Sequence, residues 1–111
     1  MIEVIDPSRC TGCNICVTVC PTRVFERVAD ALPIIARQDD CQTCFMCELY
    51  CPVDALYVAP LAEAVQYADA DGAQAPAAAL LGSYRAALGW QKGQQSTAST
   101  DASFELLGRA R

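Results

Sequence analysis

Eight cysteines stand in two runs, Cys10, Cys13, Cys16 and Cys20 followed by Pro21, and Cys41, Cys44, Cys47 and Cys51 followed by Pro52. Each run reads C-x2-C-x2-C-x3-C-P. Thiolates are soft ligands, and their spacing decides which metal they suit. Three of them two residues apart on a tight loop can grip three irons of one cubane face, with backbone amides pointing at its sulfides. The fourth iron then needs a cysteine from elsewhere. Zinc also favours cysteine pairs at two-residue spacing, but it has no use for a third cysteine at that spacing and a following Cys-Pro. Disulfides are disfavoured in a chain without an export signal, because the cytosol keeps thiols reduced. The pattern therefore reads as iron–sulfur chemistry.

Corresponding cysteines of the two runs are displaced by 31 residues, and the flanks agree, with Asp6, Pro7, Ser8 and Arg9 before the first and Arg37, Gln38, Asp39 and Asp40 before the second. This is a duplicated half-domain. Residues 2–59, which carry both motifs intact, resemble a bacterial-type two-cluster [4Fe–4S] ferredoxin. The resemblance implies an α+β class, with a pseudo-twofold (βαβ)2 domain over residues 1–59 and two [4Fe–4S] clusters as cofactors. It also implies crossed ligation, the last cysteine of each run serving the other cluster. Cluster one would then be held by Cys10, Cys13, Cys16 and Cys51, and cluster two by Cys41, Cys44, Cys47 and Cys20. Such crossing makes the two halves one folding unit, in which metal-binding free energy is folding free energy.

The elements that must position these thiols can be placed roughly. Ile2 to Ile5 and Ala55 to Ala59 read as strands from the two ends of the domain, and Val24 to Val28 and Ile34 to Arg37 flank a hairpin turn at Asp30 to Pro33. Short helices are expected to begin near Cys16 and Cys47, each ending at its Cys-Pro. Ile15, Val17, Val19, Phe45, Met46 and Leu49 are expected between the clusters and the sheet. Asp6, Asp39, Asp40, Glu48 and Asp54 read as a solvated acidic face, with a secondary role in steering a basic docking surface.

Composition excludes other classes. At 111 residues the chain forms one domain whose core needs help from a metal or a partner. It carries a formal charge of -5 and no histidine, which removes the commonest general base and the commonest zinc nitrogen ligand. Without a lysine or arginine run it lacks the electrostatic footprint of a nucleic-acid or anionic-membrane binder. No stretch approaches the ~20 apolar residues of a transmembrane helix, and the start has no basic n-region, so a cytoplasmic protein is expected. No Gly-x-Gly-x-x-Gly, P-loop or nucleophile–base pair is present, so no catalytic residue is assigned and a non-enzymatic role is expected.

Residues 60–111 form a second, cysteine-free region that turns alanine-rich at Pro60. Leu61, Val65 and Ala68 share one face of a possible short helix, Asp69 to Pro76 reads as a linker, and a second helix is predicted over Ala77 to Leu88. Gly82 interrupts its apolar stripe of Leu80, Leu81, Tyr84 and Leu88. Phe104, Leu106 and Leu107 add an apolar patch beyond a polar stretch. This extended, partly helical tail can be disordered, fold back over the domain, or wrap another subunit with Tyr84, Trp90 and Phe104 as anchors. The third course is expected, because a small ferredoxin domain offers little surface to cover and a wrapping tail can span a large one. Removal of residues 61–111 would then spare the clusters and abolish partner binding.

In organisation the tail resembles the iron–sulfur subunits of two-subunit flavoprotein reductases, of the adenylylsulfate reductase type, and the small ferredoxins of fumarate-reductase-like flavoproteins. The resemblance implies a larger flavin-containing catalytic subunit as partner and a low-potential electron donor, with electrons relayed singly between them. A free diffusible shuttle is the alternative. A structural docking module with redox-inert clusters is the alternative of another class.

Overall fold

The computed structural model describes residues 1–64 and 78–109. The first stretch runs β1 (Ile2–Ile5), α1 (Ile15–Val19), β2 (Phe25–Glu26), β3 (Ile34–Ile35), α2 (Met46–Tyr50) and β4 (Leu56–Val58). β1 pairs antiparallel with β4, matching Ile2 to Val58 and Ile5 to Leu56 with an irregularity between Ile2 and Val4. β2 and β3 form the predicted hairpin, with Phe25 opposite Ile35. The result is a mixed α+β fold with two small antiparallel sheets. β2, β3 and β4 are shorter than predicted. Around the hairpin, regular pairing gives way to single bonds: the Val24 carbonyl takes the N–H groups of both Ala36 and Arg37, at 2.9 Å each, and the Ala31 N–H closes the turn on Val28.

The helices lie where the Cys-Pro pairs require. Each is five residues long and gives way to an extended cysteine, Cys20 or Cys51, because the proline that follows crowds the helical conformation there. Each is entered from a left-handed residue, Asn14 or Phe45, both at φ 62°. The 31-residue repeat persists in the backbone: positive φ recurs at Gly12 and Thr43 (76° and 53°), at Asn14 and Phe45, and at Arg23 and Asp54 (57° and 51°). A β-branched residue such as Thr43 rarely adopts this region, so the loop geometry is imposed by what the loop must surround.

Ile2, Val24, Phe25, Ala55, Leu56 and Val58 form the core together with Cys47 and Cys51. Of the side chains expected between clusters and sheet, Val17, Val19 and Phe45 pack against this core, while Ile15 and Leu49 are half-buried. Met46 does not belong there, being 37% exposed. The buried face of α2 is taken by Cys47 and Glu48, which turns Met46 and Tyr50 outward.

Glu48 is the larger correction. Expected on a solvated face, it is fully buried. One carboxylate oxygen accepts from the Val58 N–H at 2.9 Å and the other from the Tyr84 N–H at 2.8 Å and the Ser83 hydroxyl at 3.5 Å. Burial pushes its pKa up, against the pull of these donors.

Two of those donors, Ser83 and Tyr84, come from residues beyond Pro60. Instead of one helix over Ala77 to Leu88, the chain makes a 3-10 turn at Ala78–Leu80, breaks at Gly82 with φ 70°, and forms α3 (Ser83–Ala87), with α4 (Glu105–Arg109) further on. Val65, Ala68 and the linker predicted at 69–76 lie outside the described residues. Gly82 donates to the Leu56 carbonyl at 2.9 Å. Tyr84 stacks on Phe45 with ring centroids 4.5 Å apart, and Trp90 meets the edge of Tyr50 at 5.7 Å. Two of the three expected anchors are thus engaged with aromatic rings of this same chain. The described part of the tail around α3 folds back on the domain, the second of the courses open to it. Phe104 remains 70% exposed. No helix among the described residues is long and apolar enough to cross a membrane.

Two substitutions probe this docking. A Cβ at Gly82 would collide with the Asp54 carboxylate and require a left-handed side-chain residue, so Gly82→Ala is expected to lower stability by about 1–3 kcal/mol in a denaturant titration. Glu48→Ala strips the acceptor from two backbone N–H groups, each costing about 1–3 kcal/mol if left buried and unpaired. It is expected to lower the denaturation midpoint further and to make the tail sensitive to limited proteolysis; an unchanged midpoint would contradict the latch.

Candidate metal centres

The two cysteine loops curl around two cavities of almost equal size. One is lined by Cys10, Cys13, Cys16 and Cys51. The other is lined by Cys41, Cys44, Cys47 and Cys20. Each therefore gathers three thiols of one run and the last thiol of the other. This grouping follows from the helices: α1 and α2 pack together, and each carries the chain from the third cysteine of its run to the fourth. The walls are otherwise mostly apolar, with Ile5, Ile15, Val53 and Leu56 in the first and Ile2, Val24, Phe25, Phe45 and Val58 in the second.

All eight cysteines are free thiols, Cys13 and Cys44 exposed and Cys47 and Cys51 buried. Among the described residues no three cysteine, histidine or carboxylate side chains converge on a point that would hold one ion. The donors ring a volume, as a polynuclear group needs and a zinc ion does not. Backbone N–H groups meet the sulfurs as well: Val24 to Cys20 at 3.4 Å, Ala55 to Cys51 at 3.3 Å, and Ile2 and Thr43 to Cys41 at 3.3 and 3.4 Å. The first two are the same contact repeated 31 residues apart.

The thiols differ in how readily they ionise. Burial pushes Cys16 up to about 11 and Cys47 further still. Burial also acts on Cys20, but there the N–H groups of Val24, Thr22 and Arg23 and the Thr22 hydroxyl outweigh it and the pKa falls. Buried thiols of this kind become thiolates when a bound cation supplies the compensating charge. The donor set, the dry walls and the N–H groups aimed at sulfur therefore fit an iron–sulfur cubane in each cavity.

Sequence reasoning gave Arg85 no role at the site. Its guanidinium donates to the carbonyls of Leu49 at 3.3 Å and Cys51 at 2.7 Å, at the C-terminus of α2. A clue to Glu48 lay in the repeat itself, where the charged residue occupies the position of Val17 in the first half.

Comparison with known proteins agrees with the geometry. Residues 2–52 match the family described as a 4Fe-4S dicluster domain. A ferredoxin of Methanothermococcus thermolithotrophicus is 43% identical over 56 residues, which are 49% of this chain and 92% of the relative. An uncharacterized ferredoxin of Methanocaldococcus jannaschii is 45% identical over 62 residues, 54% of this chain and 98% of the relative. No solved structure matches the chain significantly. Eight cysteines grouped in this way accommodate two [4Fe–4S] clusters, and the chain belongs to the dicluster ferredoxin family of iron–sulfur electron carriers.

Proposed function

We propose that this ferredoxin relays single electrons through its two clusters to or from the flavin of a larger oxidoreductase subunit, itself contributing no catalytic residue. The observation that carries the relay is the pair of near-equal cavities, each lined by four thiols drawn from both halves of the chain. Bound there, the clusters supply reversible one-electron chemistry. The chain's part is to hold them close together, to exclude water with Ile2, Val24, Phe25 and Leu56, and to bring an edge of each toward the surface at Cys13 and Cys44.

Cluster one is assigned to Cys10, Cys13, Cys16 and Cys51, and cluster two to Cys41, Cys44, Cys47 and Cys20. A pseudo-twofold (βαβ)2 arrangement is part of the same proposal. It is supported by the β-α-β-β-α-β order and by positive φ recurring at equivalent positions of the repeat. Eight cysteines grouped as cluster ligands accord with a reducing, cytoplasmic setting.

The partner reading rests on apolar side chains that docking leaves uncovered: Trp90 at 40%, Phe104 at 70% and Leu106 at 61% exposure. Tyr84 contributes by fixing α3 through its stack on Phe45. A second reading, a free shuttle, is favoured by the same docking, since a tail satisfied within its own chain does not need another subunit to cover Tyr84.

Serine in place of a cysteine perturbs the cluster that it ligates, so the assignment can be read from the reduced-state EPR signals. Cys20→Ser and Cys44→Ser are expected to alter the same signal, and Cys20→Ser and Cys13→Ser different ones; the reverse pairing would mean uncrossed ligation. For the partner, anaerobic purification from the native source is expected to yield about eight iron and eight sulfide per chain in one peak with flavin. The same iron in a lone small peak would make the protein a shuttle.

A further inference from the structure

The two halves share several backbone contacts around their thiols, although Cys41 alone takes the N–H groups of Ile2 and Thr43. Besides the matched N–H bonds to Cys20 and Cys51, the Arg23 carbonyl accepts from Arg37 at 2.7 Å and the Asp54 carbonyl accepts from Arg9 at 3.2 Å, each at the equivalent place of the repeat. The tail breaks the likeness. Arg85 donates to the Cys51 carbonyl at 2.7 Å, in a half-buried setting. Among the described residues no cation donates to Cys20, the equivalent position in the first half.

Reducing a cluster adds one negative charge. A guanidinium is permanently charged, and a half-buried one is screened less than a surface ion, so it favours the reduced form of the group nearest to it. Asp54, half-buried three residues beyond Cys51, acts in the opposite sense, where the first half has the exposed Arg23. The Glu48 carboxylate nearby is taken up by Val58, Tyr84 and Ser83.

Resting on the reading that the clusters carry electrons, we infer that Arg85 is a tuning residue: the docked tail uses it to raise the reduction potential of the cluster ligated by Cys51, and of that cluster selectively. The tail thereby adds to the gap between the two clusters. Linkage makes the effect reciprocal, so reduction tightens the docking of the tail by the same factor.

Potentiometric titration of the full-length holoprotein, followed by EPR, tests this. In Arg85→Gln one reduction wave is expected to move to more negative potential, by on the order of tenfold in the reduction equilibrium, or 59 mV for one electron. It should be the wave that Cys51→Ser also alters. Arg85→Lys keeps the charge and is expected to retain most of the wild-type value. Limited proteolysis of the wild type supplies an independent reading, with the tail cut more slowly in reduced than in oxidised protein.

An unmoved wave in Arg85→Gln, equal movement of both waves, or a lysine variant that shifts as far as the glutamine variant would overturn the inference. Should glutamine release the tail, the lysine variant decides between charge and docking. Wild-type clusters that cannot be reduced at all would instead sink the electron-carrying reading itself, and this inference with it.

Discussion

A cluster has four metal corners, and a loop with cysteines two residues apart reaches only three of them. Each cavity here is completed by a thiol from the opposite half: Cys51 joins Cys10, Cys13 and Cys16, and Cys20 joins Cys41, Cys44 and Cys47. That one requirement dictates most of the domain. The helices must lie side by side, each must stop at its fourth cysteine, and the strands at the two ends must return to pair with each other. Among the described residues the core cluster holds eight buried side chains, two of them cysteines, which is small for this task, so the metal sites and the packing cannot be separated.

The loops carry strain for the same reason. To turn successive thiols inward within a few residues, the backbone enters the left-handed region at Gly12, Asn14, Thr43 and Phe45, only one of which is glycine. The cost at a β-branched threonine is offset where its N–H meets the Cys41 sulfur. Burial opposes ionisation of Cys16 and Cys47, so these loops suit a cation-bearing group and disfavour free thiolates.

The region beyond Pro60 is tied to the domain at β4, through the bond from Gly82 to Leu56, and above all at α2. Glu48 receives the start of α3, and Arg85 from α3 caps the end of α2. A carboxylate and a guanidinium placed in this way fix the tail's direction, because each must find its own partners to be tolerated at partial or full burial. Tyr84 stacks on Phe45, itself part of the lining of the second cavity. Duplication accounts for the likeness of the two halves, and this attachment adds to their difference.

The sequence by itself determined the cofactor chemistry, the repeat, the places of the strands and the limits of the short helices. Cysteine spacing and Cys-Pro are local constraints, and local constraints are written in consecutive residues. It misjudged Met46 and Glu48, because which side of a five-residue helix faces inward is decided by what packs against it, and a helix that short has no periodicity to read. The course of the tail was likewise open. Tyr84 and Trp90 are apolar anchors for any surface that fits, and only the tertiary structure put Phe45, Tyr50 and the carbonyl of Cys51 within reach of α3 and its flank. Long-range complementarity of buried charge and aromatic rings, which no spacing rule encodes, made that choice.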